Sequence, residues 1–179
     1  PYTDGSSKME ALLGEIARAR HHIHLQYYIF CDDETGRRLR DALVEKARQG
    51  VHVRILYDDV GCSGVSKSFF EGMRREGIEV HAFLHVKFPR FTSKVNYRNH
   101  RKIVVIDGRV GFIGGMNIAD RYVRGTEWGS WRDTHFRIEG SGVAGLQVAF
   151  LSDWSATTKR HVSGSEYFPA AQRYTDNIL

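Results

Sequence analysis

Residues 96–117 read NYRNHRKIVVIDGRVGFIGGMN, and this stretch decides how the rest of the chain is interpreted. KIVVID at 102–107 and RVGFIGG at 109–115 are apolar runs of strand length. The Asp-Gly pair between them is the strongest short signal for a β-hairpin. A histidine, two arginines and a lysine crowd the entrance to the first run. The stretch therefore predicts a two-stranded hairpin that carries a basic cluster where it begins.

Helices and strands alternate in the first half of the chain. Apolar residues recur at helical spacing in three stretches, at 9–17, 39–47 and 69–73. Three apolar runs of strand length alternate with them, at 22–30, 51–59 and 78–83. A late strand at 131–140 and a closing helix at 143–154 follow the hairpin. This order predicts an α/β fold with a mixed, largely parallel central β-sheet flanked by helices on both faces, and with the first hairpin strand near its middle.

The length of 179 residues fits one domain with a full core. We predict a single domain over residues 1–156 and a polar linker over 157–179 toward a second half of the protein. Because the chain starts at Pro1 rather than at methionine, we expect it to be part of a longer polypeptide. No apolar run approaches the roughly 20 residues that cross a bilayer, so this segment is expected to be soluble. Cys31 and Cys62 have no metal-ligand spacing and are expected to be reduced thiols.

The positive charge of the chain favours anionic partners. The formal net charge is +5 and the pI is near 9.3. Phospholipid head groups, nucleic acid and phosphorylated small molecules all fit such a charge. Residues 85–102 contain six basic side chains and no acidic one. Within this stretch Arg98 and Arg101 stand beside the histidine of the motif, and we predict that they help to bind an anionic phosphate.

Three residues of the opening stretch, His100, Lys102 and Asp107, have the spacing H-x-K-x4-D. Because residues two apart on a strand share a face, the side chains of His100 and Lys102 should point the same way. An imidazole can attack a phosphodiester, and an ammonium group can neutralise the charge that gathers on its oxygens. Gly115 would give backbone amides close access to a phosphate, and Asn117 follows two residues later. Each residue alone is more often structural, since Asp107 suits a hairpin turn and Asn117 suits a helix cap.

The H-x-K-x4-D motif followed by Gly-Gly-x-Asn resembles the HKD motif of the phospholipase D superfamily. Longer strings are similar to bacterial cardiolipin synthases, namely HIHLQYYIFCDDETG, GVHVRILYDDVG, WRDTHFRI and NYRNHRKIVVIDGRVGFIGGMNIADRY. The likeness covers residues 3–168, nearly the whole chain, in the order of the family. It implies a phospholipase D-like fold and an enzyme that needs no metal ion or other cofactor.

The resemblance also implies a role for each matching residue. His100 would either form the covalent phospho-enzyme or serve as general acid and base. Lys102 and Asn117 would bind the phosphate oxygens, and Asp107 would give the motif structural and electrostatic support. Asp133, in WRDTH, matches the acid that orients and polarises an active-site histidine through its far ring nitrogen. Without the resemblance, a partner for a neighbouring arginine would be an equally good interpretation of this aspartate.

The chain departs from the superfamily in two ways. Gly-Gly at 114–115 stands where Gly-Ser is frequent, so a hydroxyl contact to phosphate is missing. The active site of the family also joins two HKD motifs, whereas this chain has one. The other H-x-K, His85 to Lys87, is followed by Thr92 where the motif needs an aspartate. We therefore expect half an active site, completed by a second HKD motif from a downstream half or from a homodimer partner.

The reaction implied by the resemblance is phosphatidyl transfer, which makes cardiolipin from two phosphatidylglycerols through a phosphatidyl-histidine intermediate. The full-length enzyme would associate with the bacterial cytoplasmic membrane and act on anionic phospholipid. The alternative is a homodimeric phosphodiesterase or endonuclease with a single HKD motif that acts on DNA, which the positive charge would suit equally. A third hypothesis is an inert half that binds anionic lipid or nucleic acid.

Three other patterns carry less weight. GSGVAG at 140–145 has the form of a dinucleotide-binding loop. It lacks a following strand with an acidic residue about 20 positions later, and a strand-to-helix turn explains it. The histidines at 21, 22 and 24 are expected to straddle a helix end and a strand start, with surface or partly buried roles rather than metal ligation. Asp58-Asp59 follows a strand, and it suits a site in an open sheet or the cap of the next turn equally.

Overall fold

The computed structural model describes residues 1–83, 100–127 and 129–170, with a six-stranded sheet at the centre. The strands are β1 His22–Tyr27, β2 His52–Asp58, β3 Glu79–Phe83, β4 Ile103–Ile106, β5 Val110–Gly114 and β6 His135–Glu139. They lie in the order β3-β2-β1-β4-β5-β6. The first hairpin strand, β4, therefore lies in the middle of the sheet, as the sequence predicted.

The sheet has a parallel half and an antiparallel half. Strands β1, β2 and β3 pair in parallel. Strand β4 pairs antiparallel with β1, β5 with β4, and β6 with β5. The mixed α/β class is therefore confirmed, but the prediction of a largely parallel sheet was wrong for this second half. The tight turn at Asp107 and Gly108, where φ is 54° and 63°, returns β5 antiparallel alongside β4.

Helices cover both faces of the sheet, as predicted. Their bounds are α1 Gly5–Arg18, α2 Glu34–Arg48, α3 Lys67–Arg75, α4 Asp120–Arg124 and α5 Gly142–Thr158. Helices α1, α2 and α3 pack Leu12, Leu39 and Met73 into the main core. Helix α5 packs Val143 and Phe150 on the opposite face, and GSGVAG at 140–145 forms the turn after β6 and the first residues of α5. No helix in the described ranges is both long and apolar enough to cross a membrane.

A buried polar row joins α5 to β1. His22 and His24 are two apart on β1, are fully buried and both point toward α5, so the prediction that these histidines straddle two elements near the surface was wrong. Gln147 bridges them, with Oε1 3.0 Å from His22 Nε2 and Nε2 2.7 Å from His24 Nδ1. Arg54 reaches the other ring nitrogen of His24 at 3.2 Å. Because such bonds offset the cost of burying polar groups, the row fixes α5 on the sheet.

The turn after β2 ties this strand to the end of β1. The Asp58 carboxylate accepts hydrogen bonds from the amides of Val60 and Gly61, both at 2.9 Å. This geometry is the turn cap that the sequence allowed for Asp58. The Cys62 thiol accepts a bond from the Phe30 amide at 3.3 Å. Both cysteines are free thiols, as predicted.

The part of the chain that follows residue 156 packs on the domain. Helix α5 runs to Thr158, and a 3-10 turn follows at Ser165–Tyr167. Tyr167 is 7% exposed, its ring centroid lies 4.8 Å from that of His22, and its hydroxyl accepts a hydrogen bond from Arg54 at 3.2 Å. The boundary predicted at 156 thus falls inside α5, and the segment predicted as a linker packs on the domain as far as Tyr167. Residues 171–179 lie outside the described residues.

We predict that Tyr167→Ala lowers the free energy of unfolding by about 3 kcal/mol, because it removes a buried aromatic ring from the α5 side of the sheet. Urea unfolding followed by circular dichroism measures the change. Phe168→Ala, next along the chain and exposed, is the matched control and should change stability by less than about 0.5 kcal/mol. Small and equal effects of the two changes would show that this segment does not belong to the folded domain.

Candidate active site

His100 and Lys102 lie at the entrance to β4. Because β4 runs antiparallel to β1, this entrance sits beside the carboxyl end of β1, where Tyr28 follows the strand. The exposed ring of His100 stacks on the ring of Tyr28, with 4.1 Å between the centroids and 21° between the planes. The stack fixes the plane of the imidazole at an edge of the sheet that solvent reaches.

Lys102 is held close behind the histidine. Its side chain is 8% exposed, and its Nζ donates a hydrogen bond to the His100 carbonyl oxygen at 2.7 Å. The same nitrogen lies 5.6 Å from the centroid of the Tyr28 ring. Burial lowers the pKa of Lys102, and the Asp133 carboxylate opposes that shift. An ammonium group fixed in this way can hold a phosphate while an imidazole beside it attacks the phosphorus.

Gly115 and Asp133 meet beside Lys102. The Gly115 amide donates to the Thr134 carbonyl at 2.9 Å, just after β5 ends. A Cβ added at Gly115 would overlap the Asp133 carboxylate, which itself accepts a bond from the Thr134 amide at 2.7 Å. A serine at 115 could not keep this arrangement, because Asp133 occupies the space of its side chain. In the described residues no hydrogen bond joins Asp133 to His100, and the orientation of an active-site histidine by Asp133 stays a prediction.

Asn117 lies buried behind the site, and its amide is held on both sides. The oxygen Oδ1 accepts from the Ile29 amide at 3.0 Å, and Nδ2 donates to the Tyr122 hydroxyl at 2.7 Å. Asn117 does not cap a helix, since α4 begins at Asp120 with Ala119 at its N-cap. An asparagine Nδ2 carries two hydrogens, so a second donor is available to a ligand.

Asp107 lies at the opposite end of β4 from the His100 and Lys102 pair. Its carboxylate accepts hydrogen bonds from three consecutive amides before and at the start of β1, those of Arg20 at 2.8 Å, His21 at 2.8 Å and His22 at 3.0 Å. The structure therefore does not place Asp107 with the other predicted catalytic residues. Its support for the motif takes the form of a clamp between β1 and the hairpin turn.

Arg101 points away from Lys102. Alternation along the chain directs it to the α5 side of the sheet, where it forms an ion pair with Asp153. Asp153 also accepts a hydrogen bond from Gln26 at 2.8 Å. This position does not bring Arg101 to the phosphate site that the sequence predicted for it. Arg98, predicted for the same role, and the second H-x-K at 85–87 lie outside the described residues.

Sequence reasoning missed Tyr28. The signal was its place directly after a strand of the parallel half, since ligands in open sheets bind beyond the carboxyl ends of such strands. The contact of Tyr28 with His100 depends on which strand lies beside the hairpin, and local sequence patterns do not predict the order of strands in a sheet. Among the described residues, no three histidine, cysteine, aspartate or glutamate side chains are grouped so that they could hold a metal ion.

Comparisons with known proteins agree on the family. A family described as "Cardiolipin synthase, PLD-like domain" matches residues 12–134. The major cardiolipin synthase ClsA of Bacillus subtilis is 46% identical over 160 residues, which are 89% of this chain and 33% of that protein. The chain thus spans about a third of the length of the curated relatives that it matches.

Two solved structures share the fold. NucT from Helicobacter pylori has a TM-score of 0.64 at 16% identity, over 84% of this chain and 89% of that one. Phosphatidylserine synthase of Haemophilus influenzae Rd KW20 has a TM-score of 0.64 at 16% identity, over 86% of this chain and 35% of that one. At this identity the likeness shows the fold alone.

We predict that Asp107→Asn lowers the free energy of unfolding by about 1–3 kcal/mol, because three amides lose a charged acceptor. Urea unfolding at neutral pH measures the loss. Asp41→Asn, at an exposed aspartate of α2, removes the same charge and should cost less than about 0.5 kcal/mol. Unchanged stability of Asp107→Asn would contradict the clamp.

Proposed function

The chain belongs to the family of cardiolipin synthases with a phospholipase D-like domain, and we propose that it carries one half of the active site of a phosphatidyltransferase that makes cardiolipin. The observation that supports this best is the pair at the entrance to β4, where Lys102 Nζ lies 2.7 Å from the His100 carbonyl oxygen. A histidine beside a fixed cation is the combination that exchange at a phosphodiester through a phospho-enzyme requires. The relative at 46% identity is a cardiolipin synthase, which supports a phospholipid substrate, and we propose that this lipid is phosphatidylglycerol.

In the first step, a ring nitrogen of one histidine, His100 or its counterpart in the second motif, attacks the phosphorus of one phosphatidylglycerol. The bond from phosphorus to the oxygen of the glycerol head group breaks, and that oxygen takes a proton from the other histidine. Glycerol leaves, and the phosphatidyl group stays on the attacking nitrogen. Lys102 and the Nδ2 of Asn117 bind the non-bridging oxygens, where negative charge is concentrated.

In the second step, the primary hydroxyl of another phosphatidylglycerol attacks the same phosphorus. The other histidine takes the hydroxyl proton, the bond between phosphorus and the ring nitrogen breaks, and cardiolipin leaves. Both steps use the same cationic and amide groups, because the charge builds up on the same oxygens. Water in place of the hydroxyl would hydrolyse the intermediate, so the exclusion of water decides the product.

A second HKD motif is part of the proposal. The matched region is 33% of the length of the Bacillus subtilis relative, so relatives of this length have room for another half. In the full-length protein this half would follow the domain described here, and a homodimer partner is the other source. Because both substrates are lipids, we place the full-length protein at the bacterial cytoplasmic membrane.

A homodimeric phosphodiesterase that cleaves DNA is the second candidate. The match over 89% of NucT shows that the fold occurs in a chain of this size, and the net charge of +5 suits a polyanion. This candidate requires a dimer across the His100 edge and DNA binding that weakens steeply with salt. The lipid reaction has stronger support, because the relatives with high identity are cardiolipin synthases.

We predict that His100→Ala in the full-length protein lowers cardiolipin formation by roughly 1,000-fold or more, since it removes a group that moves the phosphatidyl group or the proton. Conversion of labelled phosphatidylglycerol in vesicles measures the rate. His21→Ala, which changes an exposed histidine at the other end of the sheet, is the control and should retain the rate. Activity of the His100→Ala protein within tenfold of wild type would refute the mechanism.

We predict that Gly115→Ala lowers kcat/KM roughly 100-fold while the fold is retained, because the added methyl group displaces the Asp133 carboxylate from beside Lys102. The assay is again the conversion of labelled phosphatidylglycerol. Gly72→Ala in α3, where an added Cβ meets no atom within 4 Å, is the matched control and should leave kcat/KM unchanged. Equal rates for the two proteins would show that the position of Asp133 does not matter for the reaction.

A further inference from the structure

Lys8 is a buried lysine that has no acidic partner within ion-pair distance in the described part of the chain. It lies on the face of α1 that packs on the sheet, and its side chain is 1% exposed. Its Nζ donates to the Tyr27 hydroxyl at 2.9 Å and lies 3.8 Å from the Met9 sulfur. Burial lowers the pKa of Lys8 to about 7. Because a lysine in such surroundings costs stability, its presence needs an explanation other than packing.

His135, on β6, is a second buried basic group on this face. Its side chain is 0% exposed, and neither ring nitrogen has a hydrogen-bond partner among the described residues. Gly114 stands opposite it in the sheet, where an added Cβ would lie 2.7 Å from His135 Nδ1. Burial, together with the positive charges of Lys8 and Lys102, lowers the pKa of His135 to about 3. The ring is therefore neutral, and it lies within electrostatic reach of both lysines.

Four side chains form a cluster next to the candidate active site, on the face of the sheet that α1 covers. We call it the buried basic row, and its members are Lys8, Tyr27, Lys102 and His135. The strand register and the alternation of side chains place Tyr27, Lys102 and His135 on the face that α1 covers. Burial raises the pKa of Tyr27 far above its usual range, so its hydroxyl is neutral. The row thus holds two amino groups, one from α1 and one from the entrance to β4, with no negative group among its members.

The only carboxylate in the described residues that acts on the pKa of a member of the row is that of Asp133, and it acts on Lys102. Helices α2 and α4 pack against α1. In the described ranges, neither of them places an acidic side chain within ion-pair distance of Lys8 Nζ. The row therefore has an excess of positive charge in a region of low dielectric constant. An anion bound at Lys102 would supply the missing negative charge.

We propose that Lys8 is a positioning residue for the phosphate. Together with His135 it lies on the same face of the sheet as Lys102, and it takes up a proton when a phosphodiester binds at Lys102. This rests on the proposed function in one respect, because it takes Lys102 as the group that binds the phosphate. Lys8 does not touch the substrate. It acts through its charge on the face of the sheet that α1 covers, where His135 lies within electrostatic reach of both Lys8 and Lys102 and, being neutral, adds no third charge.

The direction of the pH dependence follows from the charges. Below about pH 7 Lys8 is protonated whether or not an anion is bound, so binding there takes up no proton at this residue. A bound phosphodiester raises the pKa of Lys8, since an opposite charge favours the ammonium form. Above about pH 7 binding is therefore accompanied by proton uptake, and affinity falls as pH rises until Lys8 is neutral in the bound state as well.

The test measures binding without turnover. The full-length protein is titrated with sn-glycero-3-phosphoglycerol, a phosphodiester that keeps a single negative charge across the range, from pH 6 to pH 9 by calorimetry. Two buffers of different ionisation enthalpy report the protons taken up. For wild type we expect affinity to fall roughly tenfold above pH 7. For Lys8→Met we expect roughly tenfold weaker binding at pH 6.5, a flatter pH profile and less proton uptake.

Lys46→Met is the matched control. Lys46 is also partly buried and donates to the Ala19 carbonyl at 3.1 Å, but it lies at the opposite end of the sheet, near Asp107. The Lys46→Met change removes the same charge as Lys8→Met, and it should leave both the affinity for the phosphodiester and the pH dependence of that affinity as in wild type. Urea unfolding separates a positioning role from a structural one. Because Lys8→Met removes a buried ammonium, its unfolding midpoint at pH 7 should equal or exceed that of wild type.

A pH profile and proton uptake unchanged in Lys8→Met would overturn the proposal, and so would a loss of binding that parallels a loss of stability. If Lys8→Met fails to fold, Tyr27→Phe serves in its place. It removes the oxygen that accepts a hydrogen bond from Lys8, so the fall in affinity should begin at a lower pH, and an unmoved profile would contradict the proposal. Proton-linked binding that depends on Lys8 would support it even if no cardiolipin formed, an outcome that would refute only the proposed reaction.

Discussion

The antiparallel pairing of β4 with β1 decides where every group of the site lies. The register that sets Gln26 opposite Ile103 brings the entrance to β4 beside the end of β1, and so His100 meets Tyr28. Strand β4 is only four residues long, and a slip of one residue would turn Lys102 toward α5. The Asp107 carboxylate prevents such a slip, because it holds three consecutive amides at the start of β1. A clamp at one end of the strand thus fixes the direction of the side chains at the other.

Local rules predicted the parts of the fold that depend on neighbouring residues. The Asp-Gly turn located the hairpin, and the spacing of His100 and Lys102 predicted that they share a site, where both lie at the ring of Tyr28. Partners distant in sequence were beyond those rules. Asp107 binds an amide 85 residues away, and Asn117 binds one 88 residues away. Both residues belong to the motif that the sequence identified, yet their hydrogen bonds depend on which strand lies next to the hairpin.

The buried basic row shows a different limit of sequence reasoning. Lys8 shares the buried stripe of α1 with Gly5, Met9, Leu12 and Ile16, so helical spacing alone could have placed it on the inner face. A lysine is nearly always found at the surface, and that general expectation outweighed the spacing. The alternation of side chains along β6 likewise turns His135 toward the core, and Gly114 opposite leaves room for its ring. A charged residue at a position that helical or strand spacing predicts to be buried is therefore a sequence signal for a functional cluster.

The rings of His24 and His135 are buried on opposite faces of the sheet and differ in their hydrogen bonds, and this contrast supports a functional role for the α1 side. On the α5 side each ring nitrogen of His24 has a partner, in Gln147 and Arg54, so the burial of that ring is offset by hydrogen bonds. On the α1 side His135 has no such partner among the described residues, and it lies near the positive charges of Lys8 and Lys102. If the α1 side served packing alone, apolar residues of the same size would do so at lower cost. In the described part of the chain Lys8 is a buried amino group without a carboxylate partner on the same face as Lys102, and this arrangement suits a site for a phosphate anion.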